Sequence, residues 1–170
     1  MVTSFQKTLV EFAKKEYGDF HVSVYDVEKE DIKKVKESKD VENIIAYECK
    51  GFSKLEGSKN EYKPYLCLLG MERKLLNNLK LLEGRFPENE NEIVISKHIE
   101  ENGGVKYKIG DTVNLEISDR ISDGFKLSQN NMYYPEKAEI LNKKYDKEYK
   151  IVGIIERPTV FIESRQAPRI

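Results

Sequence analysis

Residues 79–96 read Leu-Lys-Leu-Leu-Glu-Gly-Arg-Phe-Pro-Glu-Asn-Glu-Asn-Glu-Ile-Val-Ile-Ser, a run that leaves the backbone few choices. The apolar residues Leu79, Leu81 and Leu82 stop at Gly84, and Pro87, which has no backbone donor, forbids regular continuation. Polar residues then lead into Ile93-Val94-Ile95, a short apolar run of the kind that forms buried strands. Ser96 is placed to cap a following helix, and Asn102-Gly103-Gly104 to end it in the left-handed conformation. Gly110-Asp111 reads as a tight turn into Val113, Leu115 and Ile117, which alternate with polar residues as a half-buried strand does. None of this pattern is catalytic chemistry; it describes a scaffold.

The flanking elements follow the same logic. Phe5, Leu9 and Phe12 recur at helical spacing and predict an amphipathic helix over residues 3–17, with Thr3 and Gln6 as a capping box and Gly18 as its stop. Phe20, Val22 and Val24 alternate as a strand, leaving His21 on its other face. Asp26 is placed to cap a second helix over 27–37, acidic early and basic late, which suits the helix dipole. Strands are expected over 41–47 and 62–69, a short helix over 71–78, and a return strand over 149–156. Residues 118–147 show little periodicity and are expected to be the least ordered and most exposed part of the chain, with a helical turn or two over 136–142. The elements together predict an α+β fold, a mixed sheet with helices on one face.

Charge and composition narrow the function classes. Lys and Arg number 29 against 30 Asp and Glu, a net charge of −1, so no overall field attracts nucleic acid or anionic lipid. No apolar run approaches the ~20 residues of a membrane span, and the first residues lack the basic and apolar regions of a signal peptide. Two cysteines are too few for a disulfide framework, and with His21 and His98 they lack zinc-ligand spacing, so no metal or cofactor is expected. If one hairpin closes around Ser58, Cys49 lies directly opposite Cys67, within reach of a disulfide in an oxidising setting. A bulge at Gly51 would shift that register by one and turn the two side chains to opposite faces.

No catalytic constellation stands out. Glu88, Glu90 and Glu92 begin like a calcium loop, but Ile93 and Ile99 occupy the places of its glycine and its bidentate glutamate. Ser96 and His98 are two residues apart, a spacing that diverges on a helix. Arg85 lacks the Gly-rich loop that would make it a phosphate grip, and an ion pair or carbonyl contact is expected instead. Tyr133 and Tyr134, in the irregular segment, are the candidate partner contacts.

Taken in order, Leu-Leu-Glu-Gly-Arg-Phe-Pro, Asn-Glu-Ile-Val-Ile-Ser, Ile-Gly-Asp-Thr-Val and Tyr-Lys-Ile-Val-Gly-Ile resemble the extracytoplasmic domain of FtsX-like, MacB-type ABC transporter permeases. The resemblance spans residues 79–156, with a looser lead-in before it, and rests on Gly84, Arg85, Pro87, Asn91, Glu92, Gly110, Asp111 and Gly153 as structural motif positions. It implies a non-enzymatic domain outside the membrane of a bacterial cell, flanked by transmembrane helices of the same polypeptide. It also implies a cognate cytoplasmic ATPase and an external peptide, lipid or protein ligand, with no cofactor and no nucleic acid. This chain is then expected to be a soluble fragment: a core lobe over 1–78, an inserted lobe over 79–147 with its variable segment at 118–147, and a return strand and exit over 148–170. The alternative is a free-standing α+β interaction module that binds a partner through the variable segment. Its gene would carry no flanking membrane spans.

Overall fold

The structure is a computed structural model that describes residues 4–17, 22, 24, 27–76 and 79–157. It divides into two compact units, residues 1–46 and 47–170. In the first, α1 spans Ser4–Tyr17 and α2 spans Lys29–Lys36. The stripe of α1 forms at the expected spacing but lies open, with Phe5, Leu9 and Phe12 exposed at 68%, 50% and 57%. Thr3 and Gly18, proposed to cap and stop α1, the Asp26 cap and most of the strand around Val22 lie outside the described residues, whereas Gln6 lies within α1. Val22 and Val24 themselves belong to neither helix nor strand. Glu28, in extended conformation, takes the N-cap position of α2, and the acidic-to-basic order of that helix is as expected.

The second unit is built on β1 (Tyr47–Lys54), β2 (Tyr65–Met71), β3 (Leu81–Gly84), β4 (Glu92–Ser96), β5 (Thr112–Ser122), β6 (Phe125–Leu127) and β7 (Ile140–Ile155). Two short helices join them, α3 (Arg73–Leu76) and α4 (His98–Gly103). Among the described residues the strands form one sheet in the order β2-β1-β5-β7-β3, with β6 paired to β5 and β4 paired to β7. The β4–β7 pairing is parallel and the others are antiparallel, so the fold is α+β with a mixed sheet. β1 and β2, which the sequence groups with the first lobe, belong to this sheet.

Over β2, β4 and the end of β7 the sheet is covered on both faces, whereas residues 142–146 of β7 are exposed on both. Adjacent residues of a strand point to opposite sides, and the core divides accordingly. Leu66, Leu68, Ile93, Ile95, Leu115, Ile117 and Ile151 pack in one cluster with Ile99 of α4. Their neighbours on the other side form two clusters, Val94 with Leu75 of α3 and Ile155, and Phe52 with Tyr65 and Cys67. α3 and α4 therefore lie on opposite faces of β4. The unbroken apolar run of β2 follows from this double burial, as it does in strands with no wet side.

Several expectations are corrected, the first being that helices lie on one face of the sheet, since α3 and α4 pack on opposite sides of β4. No strand forms over 41–46; the β1–β2 ladder begins where Tyr47 meets Met71. The segment 118–147 is mostly exposed, as expected, but it is not without order: 118–122, 125–127 and 140–147 are strand, since β5 and β7 pair from Ile121↔Ile140 to Thr112↔Lys150, and 128–139 are irregular. Its strand character is hidden in the sequence because charged residues line the exposed positions, where they pair across strands, as Lys143 does with Glu116 at 3.4 Å. Residues 136–142, read as holding a helical turn or two, form no helix: 136–139 are irregular and 140–142 belong to β7. Cys49 does not oppose Cys67: it pairs with Leu69, while Phe52 pairs with Cys67, and a bulge between Cys49 and Gly51 separates the two registers. The bulge sets two β1 positions against one of β2, which restores the parity that the shifted register would have broken. Both thiols consequently face the same side, with their sulfurs 3.4 Å apart.

Candidate functional site

The motif residues other than Pro87, spread over some seventy positions of sequence, meet at one place on β7. Gly84 ends β3 opposite Gly153, and the Arg85 N–H donates to the Val152 carbonyl at 2.9 Å. A Cβ at Gly84, which sits at φ +77°, would strike the Val152 carbonyl and come within 2.8 Å of Ile109 Cδ1. A Cβ at Gly153 would strike the Arg85 carbonyl and approach Leu81 Cδ1 and Val94 Cγ1 at 3.1 Å. Two glycines are thus required because three backbones cross without room for a side chain. From the other directions, the Lys150 N–H donates to the Asn91 carbonyl, the Gly110 N–H to the Ile151 carbonyl and the Ile151 N–H to the Asp111 carbonyl, all at 2.8–2.9 Å. Asp111 Oδ2 accepts the Lys108 N–H at 2.8 Å and closes the turn at Gly110, where φ is +95°.

Arg85 is an ion-pair residue, as its sequence context suggests. Its guanidinium grips Glu92 with two bonds, Nη1 to Oε2 at 2.7 Å and Nη2 to Oε1 at 2.6 Å. The Glu88 N–H donates to the same Oε2 at 2.9 Å. The Arg85 bonds first, and then the Glu88 N–H, hold the Glu92 carboxyl far below its ordinary range, at about 2. The pair buckles the loop that carries Pro87 from β3 to β4.

A second polar centre, which the sequence does not announce, lies on the opposite half of the sheet. Arg120 of β5 is buried with Glu139, their side chains 1% and 3% exposed. Nε donates to Oε2 at 2.8 Å and Nη2 to Oε1 at 2.7 Å, while Nη1 reaches the Asn131 carbonyl at 3.2 Å. The guanidinium carbon stands 5.1 Å from the centre of the Phe52 ring and 5.4 Å from that of Tyr65. Tyr133 meets Tyr65 edge to face at 5.5 Å. Burial, then the charge of Glu139, raises the Tyr65 phenol pKa. Tyr133 is thus turned inward, and of the two candidate partner contacts only Tyr134 is exposed, at 40%, with Lys137 over its ring. The irregular residues 128–139 are the lid of this face, fastened by an arginine. The signal available in the sequence was faint: Arg120 follows the run Val113, Leu115, Ile117 one place out of phase.

Ser96 and His98 do not form a nucleophile and its base. Ser96 Oγ accepts the backbone N–H of His98 at 3.3 Å, one position before the N-cap Lys97. The buried imidazole sits 3.2 Å from Lys63 Nζ, and burial, helped by the charges of Lys63 and Arg157, pushes its pKa down to about 4. As expected, Gly104 closes α4 in the left-handed conformation. A cleft of about 520 Å³ lies between α3, β4 and β7, bordered by Met71, Leu76, Val94, Tyr145 and Tyr149, with Glu88 and Glu90 at its rim. Among the described residues no group of three His, Cys, Asp or Glu is placed to hold a metal ion, and no helix is long and apolar enough to cross a membrane. No protein-family profile matches the chain, and no curated protein does.

Proposed function

We propose that this chain is the extracytoplasmic domain of a bacterial ABC transporter permease of the FtsX-like, MacB type, without catalytic activity of its own. The observation that supports the reading is the convergence on residues 150–153 of the motif blocks that carry the resemblance. Gly84, Arg85, Asn91, Glu92, Gly110, Asp111 and Gly153 act together in one backbone crossing. An ordered series of short motifs is meaningful when its members depend on one another physically, as these do. In this role the sheet is a rigid body, joined to membrane helices, that engages a substrate or partner outside the cell and follows motion driven by ATP hydrolysis inside it.

The test is to read the open reading frame on both sides of this stretch and then to purify its full product from membranes. Apolar segments of ~20 residues on each side and co-purification of an ATPase subunit are expected. Polar flanks, or a product recovered only from the cytosolic fraction, would overturn the proposal in favour of a free-standing interaction module.

A further inference from the structure

We propose that Cys49 and Cys67 are a redox-active dithiol that closes into an intrachain disulfide across the β1–β2 bulge. The sulfurs are 3.4 Å apart, a hydrogen-bonding contact longer than a covalent S–S bond. They belong to adjacent strands whose diagonal positions the bulge has brought onto one face. A covalent S–S bond of ~2.05 Å requires the sulfurs to close the remaining gap, on strands already held at pairing distance. A register slip of one residue would instead put the two side chains on opposite faces of the sheet.

The two thiols differ in access, which sets the order of events. Cys49 is half-buried near the edge of its cluster, whereas Cys67 is 1% exposed beneath Phe52 and Tyr65. An external low-molecular-weight disulfide can therefore reach Cys49 first. The Cys49 thiolate attacks one sulfur of the reagent, the reagent's S–S bond breaks, and one thiolate leaves. Cys67, as its thiolate, then attacks the Cys49 sulfur of the mixed disulfide and expels the second reagent thiolate. Two protein thiols are oxidised, one reagent disulfide is reduced to two thiols, and the protons given up by the cysteines end on those thiols. The product ties β1 to β2 at the bulge, beside the aromatic cluster that receives Arg120. The chemistry does not depend on the permease reading, although an extracytoplasmic location would supply the oxidising setting.

The test uses the whole chain, purified under reducing conditions, exchanged into buffer with oxidised glutathione, quenched by alkylation and digested for peptide mapping. Cys49 and Cys67 are expected to disappear together from the alkylated peptides and to appear as one linked pair. Thermal unfolding should rise by roughly 10 °C, as expected for closing a short loop in a unit of this size. Cys67→Ser should trap glutathione on Cys49 as a stable adduct. A wild-type product that keeps the adduct on Cys49 with Cys67 reduced, that links two chains, or that leaves both thiols unreacted would overturn the proposal. The wild-type map decides the matter even if the serine variant does not fold.

Discussion

Replacing Glu139 by glutamine asks whether the buried ion pair holds the lid on its face of the sheet. The side chains of Arg120 and Glu139 are 1% and 3% exposed, so water cannot compensate either charge when its partner is removed. Glutamine keeps the shape of glutamate but turns an amide N–H₂ toward a guanidinium that has only donors to offer. One of the two charge-assisted bonds, at 2.7 and 2.8 Å, becomes a donor-to-donor contact, and Arg120 retains the Asn131 carbonyl and two aromatic faces. Breaking a buried pair by removing one partner costs roughly 3–5 kcal/mol, largely the cost of a stranded charge. With a urea dependence of about 2 kcal/mol per molar, the unfolding midpoint should fall by roughly 2 M. The chain has no tryptophan, so unfolding is followed by far-ultraviolet circular dichroism. Near-ultraviolet dichroism reports whether the Tyr65–Tyr133 contact, at 5.5 Å, loosens first. The double variant Arg120→Met with Glu139→Gln removes both charges and should recover most of the loss, ending within about 2 kcal/mol of the wild type. A single variant that loses less than ~1 kcal/mol, the size of an exposed pair, would refute the reasoning. So would a double variant as unstable as the single.

Gly84→Ala should cost at least ~2 kcal/mol, because the left-handed backbone at φ +77° and the clash with the Val152 carbonyl act together. Gly110→Ala, at φ +95° with nothing within 4 Å of a new Cβ, should cost only about 1 kcal/mol. Equal losses in the two variants would show that the crossing at Gly84 has slack. His98, held near 4 against an ordinary 6.5, stays neutral in the folded chain while the unfolded chain takes up a proton. Its contribution to stability is therefore complete above pH 6.5 and is lost as pH falls from 6.5 to about 4, on the order of 1–3 kcal/mol in all. Urea midpoints at pH 4.5 and 7 should differ less in His98→Asn than in the wild type, and an unchanged difference would contradict the shift. Arg85→Ala should raise the Glu92 carboxyl from about 2 toward 4.5, as read by NMR titration, and an unmoved carboxyl would mean that the Glu88 N–H alone sets it.

What the chain's local chemistry determined is the set of breaks and turns between residues 79 and 117. Gly84 and Pro87 end one element, Ile93-Val94-Ile95 reads as a buried strand, Asn102-Gly103-Gly104 as the stop of α4, and Gly110-Asp111 as a turn, and each forms as read. These signals survive because each depends on backbone freedom within a few residues. The α+β class follows from the same local periodicities. What only the tertiary structure decided is which strands share a sheet and which face each side chain enters. Nothing in residues 47–71 says that they pair into the later strands, nor that a bulge at Gly51 will bring Cys49 and Cys67 together rather than apart. Arg120 looks like a solvent-facing residue at the end of an amphipathic strand. It becomes a buried anchor because the other face of β5 is covered by residues 128–139, whose polar composition gives no hint of a lid. Register and double burial are set by contacts between residues far apart in sequence, and a two-residue alternation cannot show whether its polar side will meet water or a carboxylate.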